Sequence, residues 1–475
     1  MKCHLRALLL ILLLVAAPVA ALLPPGAHAE QQAGVRVVAS GLINPRGVAW
    51  DDTGALLVAE AGTGGTTLGD GTDSVPPPLG PFKGGPTARI SRIMDGCPRP
   101  LATGLPSYVT TTGETGGVAD LAVIDGTISV LVTGGGTAHG NSEQPNGLYR
   151  LEPDGTVKLI ADLTAWLQAH PVAHPPQADY DPAGSFFDMV AAPDGQSVLV
   201  VESNSQQVLR VTLDGAVTRI ADLSGDNQVP TAIALDAHGI IYIGYLSGVP
   251  YPDGAARVVK ISDDGAIEEV WSGLTAVTGL AFGPDGALYA LEMSTGNTAK
   301  PPFVTRNSGR LVRQTGPDSA EPVATGLDLP VSLAIGPDGA FYVSLPAIGA
   351  GDGSGMVVRI VPGDASLAVG AAAPVAPCRE ETRRGSEAEQ GITIKTYDFG
   401  FSPERVQITA GTAVTWVNTG AVEHTTVSFR GSRKVWDSGI MHPGDRFTFT
   451  FEHPGTYDYL CGLHPDMRGQ IEVVR

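Results

Sequence analysis

The sequence predicts an all-β chain: a ring of six small antiparallel sheets followed by a compact two-layered sandwich. Three observations predict it. Glycine (61) and proline (37) make up roughly one residue in five of the 475, and only 17% are charged, which suits many short strands joined by turns better than long helices or a disordered chain. One phrase, an apolar run, a tight turn and a second apolar run, recurs six times in the first 363 residues. Apolar–polar alternation then fills residues 392–475.

From the amino terminus, residues 1–29 read as a signal peptide to be removed. Lys2 and Arg6 precede an apolar stretch at 7–23, and Ala27-His28-Ala29 offers a small-x-small cleavage site before Glu30. An uncleaved anchor is the alternative. No later run is apolar and long enough to cross a bilayer, so the expected mature protein is exported, periplasmic or secreted, without a membrane span. A net charge of −19 argues against nucleic acid, since phosphate neutralisation needs clustered Lys and Arg.

The recurring phrase appears as VAWDDTGALLVAE (48–60), LAVIDGTISVLV (121–132), MVAAPDGQSVLVVE (189–202), IALDAHGIIYIG (233–244), LAFGPDGALYALE (280–292) and LAIGPDGAFYVS (333–344). Each copy continues into two more strand-like runs, often across an Asp-Gly turn. Four short strands per copy is the pattern of propeller blades, so residues 30–363 are expected to form a six-bladed β-propeller. Residues 62–87 and 164–184 read as insertions. The sixth copy lacks its last strand, and 35–42 (VRVVASGL) matches the missing one, so the amino terminus would close the ring. A sandwich or an open array is the alternative. The opening GLINPRGVAWDDTGALLVAEAGTGG (41–65) resembles exported propellers of the ScyD/ScyE family and, more distantly, NHL-type and lactonase-like propellers. That resemblance implies fold more than activity.

Glu60, Glu202 and Glu292 end the second strands of three blades, and Asp120 and Asp188 open the inner strands of two. Stacked blades would turn these acids toward a central channel, where carboxylate oxygens could hold calcium or a small-molecule ligand. The plainer reading makes them loop caps and hydrogen-bond acceptors. No nucleophile–base pair is evident. Residues 364–391 read as a linker. Of the cysteines left after cleavage, Cys97 and Cys378 would lie on neighbouring parts of a closed ring, and a disulfide between them would fasten the linker. Cys461 then has another use.

In residues 392–475, alternating runs at 392–401, 405–411, 413–420, 424–429, 446–451, 455–461 and 469–475 imply a small Greek-key β-sandwich. Near its end stand Cys461, His464 and Met467, at i, i+3 and i+6, and His424 arrives from an earlier strand. Two imidazoles and a thiolate with a weak thioether suit copper in both oxidation states. A type II copper centre, zinc or a disulfide through Cys461 are the alternatives, and a Met ligand disfavours zinc. Met441, His442 and His453 fall in or beside turns and are expected to stay off the metal.

At these residues, and in FGFSPERVQITAGTAVTWVN (399–418) and HPGTYDYLCGLHPDMRGQIEV (453–473), the chain resembles the cupredoxins, most of all amicyanin and pseudoazurin. The resemblance implies one-electron transfer at a type 1 (blue) copper site, with His424, Cys461 and His464 as equatorial ligands and Met467 as the axial one. Many members carry Asn after the first histidine, where this chain has Thr425. The expectation is an exported electron carrier, more readily a carrier than an enzyme, whose propeller docks a redox partner protein or holds a ligand. Leu463 and Pro465 are the expected rim of the electron port. The rival is a propeller enzyme, an oxidoreductase or lactonase-like hydrolase, with the copper domain as built-in electron acceptor.

Overall fold

The computed structural model describes residues 34–474 except 70–79, 176–180, 182, 226–227, 263, 301–302, 352, 363–366, 369–391, 398–399, 421, 431–432 and 465–466. The signal-peptide segment, Cys378, Pro465 and nearly all of the expected linker therefore lie outside the described residues. The described chain is almost wholly β, relieved by the short helix Leu163–Ala169 and a 3-10 turn at Thr137–His139.

Residues 34–368 fold into six sheets, antiparallel except that the short strand Leu367–Ala368 adds in parallel to the edge of the fifth. Their first strands are Pro45–Trp50, Val118–Ile124, Phe186–Ala191, Pro230–Leu235, Val277–Phe282 and Ser332–Ile335. Each packs against the first strands of the sheets before and after it, and the sixth packs against the first. Together they surround a cavity of about 250 Å³. The recurring phrase explains the local structure. Its turn glycines, such as Gly286 and Gly339, adopt φ of +75° and +74°, where a side chain is strained. The aspartate before each of these glycines bonds the strand beyond the turn, with Asp285 and Asp338 accepting from Ala287 and Ala340.

The amino-terminal strand Gly34–Leu42 completes the sixth sheet by pairing with Gly355–Val361. Ala39 and Leu42 on that strand are fully buried. The stretches read as insertions are partly regular: Thr67–Leu68 and the start of Lys83–Met94 join the first sheet, and the helix Leu163–Ala169 falls in the second stretch.

Residues 392–474 form two facing sheets. One orders Gly400–Ser402, Ile392–Tyr397, Thr412–Asn418 and Arg446–Phe451; the other orders Arg405–Thr409, Arg468–Val474, Gly455–Leu460, Val427–Arg430 and Arg433–Asp437. Between them lie Ile394, Val414, Trp416, Trp436, Phe451, Tyr459 and Ile471. The run 392–401 is two strands instead of one, and Arg433–Asp437 is a strand that its charged start conceals in the sequence.

Candidate metal centre

Cys461 follows directly on Gly455–Leu460, and the chain then wraps tightly: His464 N–H donates to the Cys461 carbonyl at 3.2 Å, Met467 N–H to that of His464 at 2.9 Å, and Cys461 N–H to that of Met467 at 3.0 Å. This winding turns the i, i+3 and i+6 spacing into proximity. His424 comes from the other side, held by a two-residue bridge in which it and Met441 exchange backbone hydrogen bonds.

Three donor atoms converge. Cys461 Sγ lies 3.8 Å from His424 Nδ1 and 3.5 Å from His464 Nδ1, and the two nitrogens are 3.2 Å apart. Among the described residues this is the one such cluster able to hold a metal ion. His424, Cys461 and Met467 are buried, and His464 is partly exposed. A soft thiolate with two imidazoles and no carboxylate in the cluster fits copper.

The surroundings hold this set in place. Thr425 N–H points at Cys461 Sγ at 3.3 Å, and Thr425 Oγ1 accepts the Gly462 N–H at 2.6 Å. Asn418, 1% exposed, donates to the carbonyls of Val422 and Met441 at 2.9 and 2.8 Å and accepts from Gly420 N–H. Met441 is a core residue, and His442 is exposed and paired with Glu423 and Asp445. The His453 carbonyl accepts the Tyr457 hydroxyl. Leu463, beside His464, is 46% exposed. Val422 and Ile440, which the sequence reading passed over, are also exposed and lie within two residues of His424 and Met441. An apolar residue in a turn with no period to obey carries little signal on its own.

The five ring carboxylates do not form one site. Glu60, Glu202 and Glu292 are each wholly buried at the end of a second strand and accept the N–H of the residue leading into their own sheet: Ile43, Ser185 and Thr275, at 2.6, 3.0 and 2.6 Å. Arg89 and Arg310 neutralise Glu60 and Glu292, and Ser91 also donates to Glu60 at 2.6 Å. Glu202 is capped by the Asn204 and Ser205 amides and the Ser205 hydroxyl. Burial pushes Glu202 and Glu292 above the usual carboxylate range, against these hydrogen bonds. Only Asp120 and Asp188 line the cavity. Glu60, Glu202 and Glu292 are not among the residues lining it, and each accepts hydrogen bonds from its own sheet. Cys97 starts the strand Cys97–Val109.

Against this geometry stand the comparisons with known proteins. Residues 366–473 match the family model described as a cupredoxin-like domain. The chain is 38% identical to amicyanin-alpha of Methylorubrum extorquens over 91 residues, 18% of this chain and 76% of that protein. It is 31% identical to plastocyanin of Scenedesmus fuscus over 83 residues, 15% of this chain and 85% of that one. Among solved structures it is similar to a purple cupredoxin from Nitrosopumilus maritimus at 30% identity, covering 18% of this chain and 99% of that chain, with a TM-score of 0.17. The chain belongs to the cupredoxin family, through its carboxy-terminal part.

Proposed function

We propose that this protein is an exported electron carrier with one type 1 copper site, His424, Cys461 and His464 as strong ligands and Met467 as the weak axial one. The observation that carries the reading is the convergence of two imidazole nitrogens and one thiol sulfur within 4.8 Å of one another beside a buried methionine. Copper bound there would supply a reversible one-electron couple. The protein's part is to keep the ligand set nearly unchanged between oxidation states, by the Asn418 and Thr425 contacts and the three hydrogen bonds that wind the 461–467 loop. Partly exposed His464, with Leu463 beside it, offers the route in and out for the electron.

In the same reading residues 1–29 are a cleaved leader, 30–363 a six-bladed β-propeller of the ScyD/ScyE kind, 364–391 a linker and 392–475 the copper domain, with a Cys97–Cys378 disulfide at the junction. The cyclic packing of six first strands supports the propeller. The propeller would dock a redox partner or a ligand, and the linker would raise the local concentration of the copper domain beside it.

Visible absorption after adding Cu(II) tests the site. An intense blue thiolate-to-copper band is expected, bleached reversibly by reductant and absent in Cys461→Ser. Bound copper without that band in the unsubstituted protein would overturn the type 1 reading.

A further inference from the structure

Thr425 stands between two fixed points. His424 before it is tied to Met441 by the paired backbone bonds. Thr426 after it donates its N–H to Ser438 Oγ at 2.8 Å, accepts the Ser438 N–H on its carbonyl at 3.0 Å and takes the Trp436 indole N–H on its hydroxyl, also at 3.0 Å. Thr426 thus reaches Trp436, while Thr425 reaches Cys461 and Gly462. A β-branched side chain has few rotamers to choose from, and only 8% of Thr425 is exposed. Its hydroxyl is held where the loop of candidate ligands begins.

That hydroxyl has one proton and two lone pairs to place. Its oxygen takes the Gly462 N–H at 2.6 Å, and a Cβ on Gly462 would stand only 3.2 Å from it, so this side of the oxygen is closed. Among the described residues the acceptor its proton meets is Cys461 Sγ, 3.9 Å away, a long contact suited to a large sulfur. The sulfur already takes the Thr425 N–H at 3.3 Å. Neighbouring amides are committed elsewhere: Cys461 N–H to the Met467 carbonyl, His464 N–H to the Cys461 carbonyl, Met467 N–H to the His464 carbonyl and Gly462 N–H to Thr425 itself. Apart from the two imidazoles, the described donors to this sulfur therefore both belong to Thr425. An N–H accepted by a hydroxyl polarises its O–H and strengthens it as a donor, so Gly462, Thr425 and Cys461 form one chain ending on the sulfur.

We propose that Thr425 is a positioning residue that tunes the thiolate: its hydroxyl is a second hydrogen-bond donor to Cys461 Sγ, holds negative charge on the sulfur and so favours Cu(I) over Cu(II). This rests on copper being held at Cys461 as a type 1 site. The sign follows from where the charge sits. In the reduced state less of the thiolate's charge passes to the metal, and a donor to sulfur is worth most where the sulfur is most anionic, so the reduction potential rises. The same bond lowers the sulfur lone pairs from which the visible band draws its electron, which moves the band to shorter wavelength. Without the hydroxyl both effects reverse.

The test is the reduction potential and visible spectrum of the copper-loaded full chain beside Thr425→Val and Thr425→Ser. Valine keeps the shape and the N–H but has no hydroxyl. It should shift the equilibrium with a reference couple toward Cu(II) by about fivefold or more, the factor that one ordinary hydrogen bond is worth, and move the band to longer wavelength. Serine keeps the hydroxyl and should restore most of both, whereas a role in packing alone would leave serine, which lacks the methyl group, no nearer the parent than valine. An unchanged potential and band in Thr425→Val, or serine behaving as valine does, would overturn the tuning. Should the valine variant not take up copper, NMR of the unsubstituted Cu(I) protein decides: a Thr425 hydroxyl proton protected from exchange with water supports the bond to sulfur, and one exchanging freely rules it out. No blue band in the unsubstituted protein would overturn the type 1 reading itself and the tuning with it, a failure distinct from a blue protein whose potential ignores Thr425.

Discussion

Asn418 hydrogen-bonds to none of the four candidate ligand side chains, yet it ties together the two backbone segments that present His424. Replacing it with Ala removes three hydrogen bonds at once, those to the Val422 and Met441 carbonyls and that from the Gly420 N–H. Such bonds contribute about 1 kcal/mol each net, so Asn418→Ala should lower the copper domain's stability by about 1–3 kcal/mol in urea titrations and broaden the visible band as His424 loosens. In the ring, Arg89→Ala leaves Glu60 buried with only the Ser91 hydroxyl and the Ile43 N–H as donors. Breaking one side of a buried ion pair costs about 3–5 kcal/mol, and a ring that unfolds at unchanged urea concentration would refute a structural role for Glu60. At this scale the sequence was readable where chemistry is rare: a cysteine, two histidines and a methionine in fixed order have few other uses. It was less readable for the acids. Glu60 and Asp120 look alike as letters, and what separates them is that Arg89 pairs with the first while the second lines the cavity.

At the scale of elements, the strand Gly34–Leu42 carries the closure of the sixth sheet. Ala39→Glu would set a charge at a fully buried position against Gly355–Val361. An unpaired buried charge costs several kcal/mol, and limited proteolysis should cut the variant near residue 40 while the unsubstituted chain resists. Outer, inner and turn positions of the ring were legible because six copies repeat one pattern, so even a strand displaced to the far end of the chain announced itself. Arg433–Asp437 was not. It pairs only with Val427–Arg430, at the edge of its sheet, where charged residues are tolerated and the alternation that marks a strand is blurred. The helix Leu163–Ala169 escaped notice for a related reason: seven residues are too few to show a helical period.

Across the whole molecule, the carboxy-terminal core draws, among the described residues, on those between Ile392 and Val473. Residues 392–475 made alone should therefore fold and give the same visible spectrum with copper as the full chain, and a colourless product would show that the ring contributes to the site. The pairing of Gly34–Leu42 with Gly355–Val361 has a consequence in time. A ribosome working at about 5–20 residues per second releases the first of these strands roughly 15–60 s before its partner exists. For that interval the nascent chain holds five sheets that can assemble in order and one strand, with Ala39 and Leu42 bare, that must wait unpaired. The protein's most exposed moment is thus set by its topology, and whatever shields that strand until the sixth sheet arrives governs how much of the chain survives to carry copper.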